Sequence, residues 1–230
     1  MTPVPEPVAE PLVLLPGMGC TPDLWSLLDL EVESMMPVLE EPDLDAEVDR
    51  LLGLLPKRFA LAGLSLGAIV AMALVRRAPE RVSRLALLST NPYPPTPAQR
   101  AVWAEQRERL GSGSAWELQA TLLPVLLGDR PDLVTRTLAM AEELGSATYD
   151  AQLRLQDTRV DERPGLAQVR VPTLVLAARD DRLCPLERHQ EIARLVPGAE
   201  LAVVEECAHL SPFEQPAAVS GHLRRWLTAA

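Results

Sequence analysis

The chain has 230 residues, 47% hydrophobic and 23% charged, a composition that supports one domain with a sizeable core and excludes both a disordered chain and a small disulfide-stapled scaffold. With 32 acidic against 22 basic residues the net charge is −10, the wrong sign for neutralising phosphates, so no nucleic-acid partner is expected. The three cysteines, Cys20, Cys184 and Cys207, include no C-x-x-C pair, which argues against a thioredoxin-like motif and an ordinary zinc cluster.

Residues 1–11 hold four prolines, which cannot donate to a sheet ladder, so an extended, poorly ordered leader is predicted there. That segment lacks the basic and apolar regions of a secretory signal, and no apolar run reaches the roughly 18 residues of a membrane span. A cytoplasmic protein with reduced thiols and no membrane partner is therefore expected. Short apolar runs follow at 12–15, 59–62, 85–88, 173–177 (opened by Thr173) and 201–204, with a weaker one at 35–39. Runs apolar on both faces suit central strands of a parallel sheet covered on both sides. Between them, Val48, Leu51, Leu52 and Leu55 have helical spacing within 45–55, as do Val219, Leu223, Trp226 and Leu227 after Pro216. The fold class predicted is α/β, with a mostly parallel sheet flanked by helices.

The alternation breaks between Leu88 and Thr173. Two capping boxes appear there, Thr96 with Gln99 and Ser114 with Glu117, each marking a helix start. A third helix is predicted from Pro131 to Gly145 and a fourth over 147–157. Residues 92–166 thus read as a helical insertion in a single 230-residue domain.

One motif carries chemistry. Gly63-Leu64-Ser65-Leu66-Gly67 fits G-x-S-x-G, follows the run at 59–62 and opens the all-apolar stretch 68–75. Strand, sharp turn and buried helix in succession lift a serine hydroxyl out of a sheet, and the flanking glycines admit neighbouring backbone. The helix N-terminus also favours negative charge developing on a substrate oxygen. A serine is a weak nucleophile until a base takes its proton. Of the three histidines, His189 lies in a charged helical start and His222 beside Arg224 and Arg225, so both read as surface or helix-face residues. His209 follows the run at 201–204 in the loop 205–212, at the carboxyl end of a strand, where open α/β sheets place their sites. Two adjacent acids, Asp180 and Asp181, follow the run at 173–177 and compete to orient the imidazole.

In the segments 63–67, 178–185 and 208–216 the chain resembles the α/β-hydrolase superfamily over nearly all its length after the leader. It is most similar to small carboxylesterases with a short helical lid, of the pimeloyl-carrier-protein methyl esterase type, and more distantly to enol-lactonases and carbon–carbon hydrolases. The family's acid loop, with a proline four residues after the aspartate, matches Asp181 and Pro185, leaving Asp180 as runner-up. Ala178 and Ala208 stand where glycine is frequent. The oxyanion loop reads Pro16-Gly17-Met18-Gly19, without the family's histidine; the backbone N–H groups of Met18 and Leu66 would still serve.

The resemblance implies a serine hydrolase cleaving a carboxylic ester or similar acyl bond through an acyl-enzyme, with Ser65, His209 and Asp181 as triad. It implies no metal and no organic cofactor, a small-molecule acyl substrate as partner, and residues 92–166 as a lid. A pocket lined by Gly17, Trp25, Trp103 and Trp116 is expected, with apolar walls suited to uncharged short to medium acyl chains. The insertion's eight arginines are interspersed with eleven acids, so no concentrated basic patch for phosphate is predicted. A ligand-binding receptor or scaffold of the same fold, or a lyase or acyltransferase using the same residues, remains the alternative. A metal held by Cys184, Cys207 and His209 is disfavoured against small apolar packing of the thiols. The acids of the N-terminal quarter read as solvated surface, and the oligomeric state stays open, a monomer included.

Overall fold

The computed structural model describes residues 10–229. Residues 1–9 of the expected leader lie outside that range. Pro11 already joins the sheet, its carbonyl accepting the Ala60 N–H at 3.1 Å.

Six strands form one fully parallel sheet: β1 (Leu12–Leu15), β2 (Ser34–Met35), β3 (Phe59–Leu64), β4 (Val82–Leu88), β5 (Thr173–Ala178) and β6 (Glu200–Val204), in the order β2-β1-β3-β4-β5-β6. Because side chains alternate across a strand, each apolar run feeds two layers. Val13, Leu15, Phe59 and Leu61 pack on one face with α1 (Leu44–Leu54), α2 (Leu66–Arg77) and α7 (Leu186–Leu195). Leu12, Leu14, Ala60 and Ala62 pack on the other with the short α8 (Ser211–Glu214) and α9 (Pro216–Thr228). Every residue of β1 and β3 is buried, which explains why these runs show no polar alternation.

The run at 35–39 shrinks to the two-residue edge strand β2, since Pro37 has no N–H to offer a ladder. Glu47, expected on a solvated surface, is fully buried: its Oε2 accepts the N–H groups of Glu40 and Glu41, and its carboxylate pairs with Arg50.

Between β4 and β5 come α3 (Pro97–Ser112), α4 (Ala115–Leu126), α5 (Pro131–Asp157) and the short α6 (Arg163–Leu166). Both capping boxes form, with Thr96 Oγ1 accepting Gln99 N–H and Ser114 Oγ accepting Glu117 N–H, each at 3.2 Å. The two helices expected over 131–157 meet at a kink at Gly145, where φ is +77°, a conformation glycine adopts without steric cost. Trp103, Leu118, Tyr149 and Leu153 give this insertion a small core of its own. Among the described residues no helix is long and apolar enough to cross a membrane.

Candidate active site

All the chemistry-bearing residues singled out by sequence lie just beyond the carboxyl ends of β1, β3, β5 and β6. At the end of β3 the chain turns into α2 through Ser65, whose φ of 55° and ψ of −113° lie outside the regions an L-residue normally occupies, at a cost of about 1–3 kcal/mol. Several bonds hold it there. Ser65 N–H donates to Leu88 O at 2.9 Å, and Ser65 O accepts the N–H groups of Ala68 and Ile69 and the Thr90 hydroxyl. The glycines are needed for packing: a Cβ on Gly63 would collide with the carbonyl of Gly67, and one on Gly67 with the carbonyl of Leu15.

His209 and Asp181 meet as expected. The His209 Nδ1–H donates to Asp181 Oδ2 at 2.8 Å, with both side chains almost wholly buried. Asp181 Oδ1 accepts the N–H groups of Leu183 and Cys184, each at 2.9 Å. Burial alone would raise this carboxyl's pKa; the charge and hydrogen bond of His209 and the two N–H donors outweigh it and hold it below the usual carboxylate range. Asp180 is exposed and serves through its backbone, donating its N–H to Cys207 O at 2.9 Å and so joining the acid loop to the histidine loop.

A residue whose role sequence reasoning missed, Glu214, organises that second loop. Its Oε2 accepts from Ala208 N–H and Gly128 N–H and its Oε1 from Leu210 N–H, at 3.0–3.1 Å. The N–H groups of His209 and Leu210 both donate to Leu126 O at 3.2 Å, which ties the histidine to the last turn of α4. The signal available was a carboxylate five residues after a loop histidine, too common a pattern to single out.

The loop after β1 places Gly17 and Met18 in the same cavity as Ser65 and His209. Leu66 is the first residue of α2, where an N–H has no preceding turn to donate into. Gly19, at φ +72°, donates its N–H to Gln152 Oε1 at 2.9 Å, and Gln152 Nε2 donates to Leu39 O. Gln152 is thus a buried clamp from α5 on this loop.

The cavity holds about 400 Å³, toward the small end for ligand sites. Leu64, Ile69, Trp103, Leu122, Val125 and Leu210 give the apolar walls expected, and the half-exposed Val102 and Leu183 also line it. Gln99, Gln106, Gln119, Gln156 and Arg159 add a polar sector that the composition of the insertion did not predict. Two expected pocket residues are elsewhere. Trp25 is 1% exposed and packs in the layer of α8 and α9, turned inward by the 3₁₀ turn Pro22–Trp25 capped by Thr21. Trp116 is half-buried outside the cavity, in the first turn of α4, one turn before the cavity-lining stripe begins at Gln119.

His189, read as a surface or helix-face residue, is fully buried. Its Nε2 accepts Thr90 N–H at 3.0 Å and its Nδ1–H donates to Pro185 O at 3.3 Å; burial pushes its pKa down to about 4. With both ring nitrogens engaged it is placed to support backbone. His222, half-buried on α9, keeps its surface character beside Arg225.

Among the described residues one three-ligand group lies within metal-binding reach, Asp181, Cys184 and His209, with donor atoms within 4.8 Å of one another. Their chemistry fits a metal poorly. Both Asp181 oxygens already accept hydrogen bonds, and burial, reinforced by the nearby Asp181 charge, pushes the Cys184 thiol's pKa far up, away from the thiolate a metal requires.

Residues 12–221 match the family model described as alpha/beta hydrolase family. A pimeloyl-[acyl-carrier protein] methyl ester esterase from Aromatoleum aromaticum is 32% identical, over 88% of this chain and 91% of that protein. Among solved structures, a thermophilic esterase from Thermogutta terrifontis superposes with a TM-score of 0.83 at 25% identity, covering 95% of this chain and 89% of that one. The enol-lactonase from Burkholderia xenovorans LB400 does so with 0.86 at 20% identity, covering 96% and 92%, a likeness of fold.

Proposed function

The chain belongs to the alpha/beta hydrolase family, and on that premise we propose that it hydrolyses a carboxylic ester through a Ser65-His209-Asp181 triad and an acyl-enzyme. One observation carries the reading: a serine in strained backbone at a strand-to-helix turn opens on the same cavity as an imidazole whose far nitrogen is fixed by a buried carboxylate.

Ser65 Oγ attacks the acyl carbon while His209 Nε2 takes its proton, and Asp181 stabilises the imidazolium and fixes the tautomer. The N–H groups of Met18 and Leu66 hold the oxyanion. Collapse of the tetrahedral intermediate breaks the ester bond, and the alcohol leaves with the proton from His209. Water, deprotonated by the same nitrogen, attacks the acyl-enzyme; the acid departs and the proton returns to Ser65. Every step uses groups of one chain, so a monomer suffices, and the cycle calls on neither metal nor cofactor.

Residues 92–166 act as the lid, with Trp103 and Leu122 bounding the acyl cavity. The relative's methyl ester places small esters, carrier-linked ones included, among the substrates to try. Three free, buried thiols suit a reducing setting, and the cytoplasm is the location proposed. Stopped-flow with excess p-nitrophenyl butyrate tests the mechanism: a burst of one p-nitrophenol per chain followed by steady turnover is expected, and both phases should vanish in Ser65→Ala. Steady turnover that survives Ser65→Ala would overturn it.

A further inference from the structure

Among the described residues, the cavity of this acidic chain is lined by one arginine and no carboxylate. Arg159 is 6% exposed and lines the cavity, and no carboxylate among the described residues pairs with it. Its Nη1 donates to Gln156 Oε1 at 3.0 Å, its Nη2 lies 3.4 Å from Gln99 Oε1, and its guanidinium stacks 5.1 Å from the centre of the Trp103 ring. Its Nε–H is buried without an acceptor among the described residues. Gln119, which lines the same cavity, accepts from the Tyr149 hydroxyl through Oε1 and leaves its buried Nε2 without a partner.

An unpaired buried guanidinium is costly to keep, and neutral amides and an aromatic face offset only part of that cost. Desolvation is severe enough to push the Arg159 pKa down to about 10, which still leaves it charged at neutral pH. A guanidinium that lines a ligand cavity with no carboxylate to offset its charge is half of a charge-assisted interaction whose other half is an anion.

We propose that Arg159, assisted by Gln119, binds a carboxylate on the substrate, so that the preferred esters are half-esters of short dicarboxylic acids. This inference names the substrate class of the site and rests on the serine-hydrolase reading above. It replaces the uncharged acyl chain expected from sequence while keeping its short length. The apolar walls hold the methylenes between the ester at Ser65 and the carboxylate at Arg159.

Calorimetric titration separates this proposal from the catalytic one. Monomethyl succinate, glutarate and adipate are compared at pH 8 with their dimethyl esters on Ser65→Ala protein, which retains Arg159. The best half-ester should bind about ten- to a hundredfold more tightly than its dimethyl counterpart, as charged hydrogen bonds of ordinary strength require. In Ser65→Ala/Arg159→Gln the gap should close, and in Ser65→Ala/Arg159→Lys part of it should remain. Equal affinity of half-ester and diester with Arg159 intact, or binding of neither, would overturn the proposal even if no Arg159 variant folds; a gap that persists in Arg159→Gln would do so as well. Half-ester preference in binding with no turnover by the Ser65 protein would sink the catalytic reading and leave the anionic subsite standing. Turnover without that preference would do the reverse.

Discussion

His189 accepts the Thr90 N–H through Nε2 at 3.0 Å, and the Thr90 hydroxyl in turn donates to the carbonyl of Ser65 at 3.2 Å. A neutral imidazole on α7 thereby braces the strained serine from behind. Because its folded pKa is near 4 against about 6.5 unfolded, the unfolded chain binds the proton first as pH falls. The full contribution is present above about pH 6.5 and is lost progressively down to pH 4. Between pH 6.5 and 5 this residue alone should account for about 1.5 kcal/mol of lost stability. Urea unfolding at the two pH values checks it: His189→Gln should lose less on acidification than the wild type, and equal losses would remove this role.

The two aspartates separate by geometry. Asp181→Asn should lower kcat by roughly 10²–10⁴-fold, since an amide presents His209 with the wrong hydrogen-bond partner. Asp180 offers its backbone N–H, and Asp180→Asn should change kcat less than about threefold on that account. Steady-state kinetics on both variants, with folding verified by circular dichroism, gives the comparison.

The fold was legible where a pattern had one physical reading. The apolar runs at 12–15, 59–62, 85–88 and 173–177 became interior strands, whereas the run at 201–204, expected to be central, is the partly exposed edge strand β6, paired on one side only; both capping boxes formed as written. The elbow's two glycines also pointed to the packing that now makes them necessary. The edge strand β2 was overestimated because hydropathy does not register the N–H that Pro37 lacks. In the candidate site, chain order and loop position pointed to Ser65, His209 and the pair Asp180 and Asp181, and only the resemblance of the acid loop to the family's favoured Asp181 over its neighbour. Trp25 and Trp116 were misplaced because aromatic character says nothing about which layer a side chain enters. Arg159 and Glu214 were invisible as site residues because their roles depend on burial, which tertiary packing alone decides.

The elbow's packing predicts opposite signs for two glycine substitutions. Gly67→Ala puts a methyl group into the carbonyls of Leu15 and Pro16, backbone that has no room to move, and should cost roughly 3 kcal/mol or more. Gly53 lies on the exposed face of α1, where an added methyl group would meet nothing within 4 Å, and Gly53→Ala should gain up to about 1 kcal/mol from helix propensity. Thermal unfolding of the two variants checks both directions.

Cavity size sets chain length. With about 400 Å³ available, kcat/KM for p-nitrophenyl esters should be highest between acetate and hexanoate and should fall by at least about tenfold for palmitate, a loss of about 1.4 kcal/mol in transition-state binding. A flat or rising profile would mean that residues 92–166 leave an open groove.

The most direct measurement is covalent labelling with a fluorophosphonate, followed by intact-mass and peptide analysis. The account predicts a single adduct per chain on Ser65, lost in Ser65→Ala and strongly slowed in His209→Ala, because only a serine lifted onto this turn beside an oriented imidazole is nucleophilic enough. An adduct on another serine, or a folded wild-type protein that takes up no label, would contradict it.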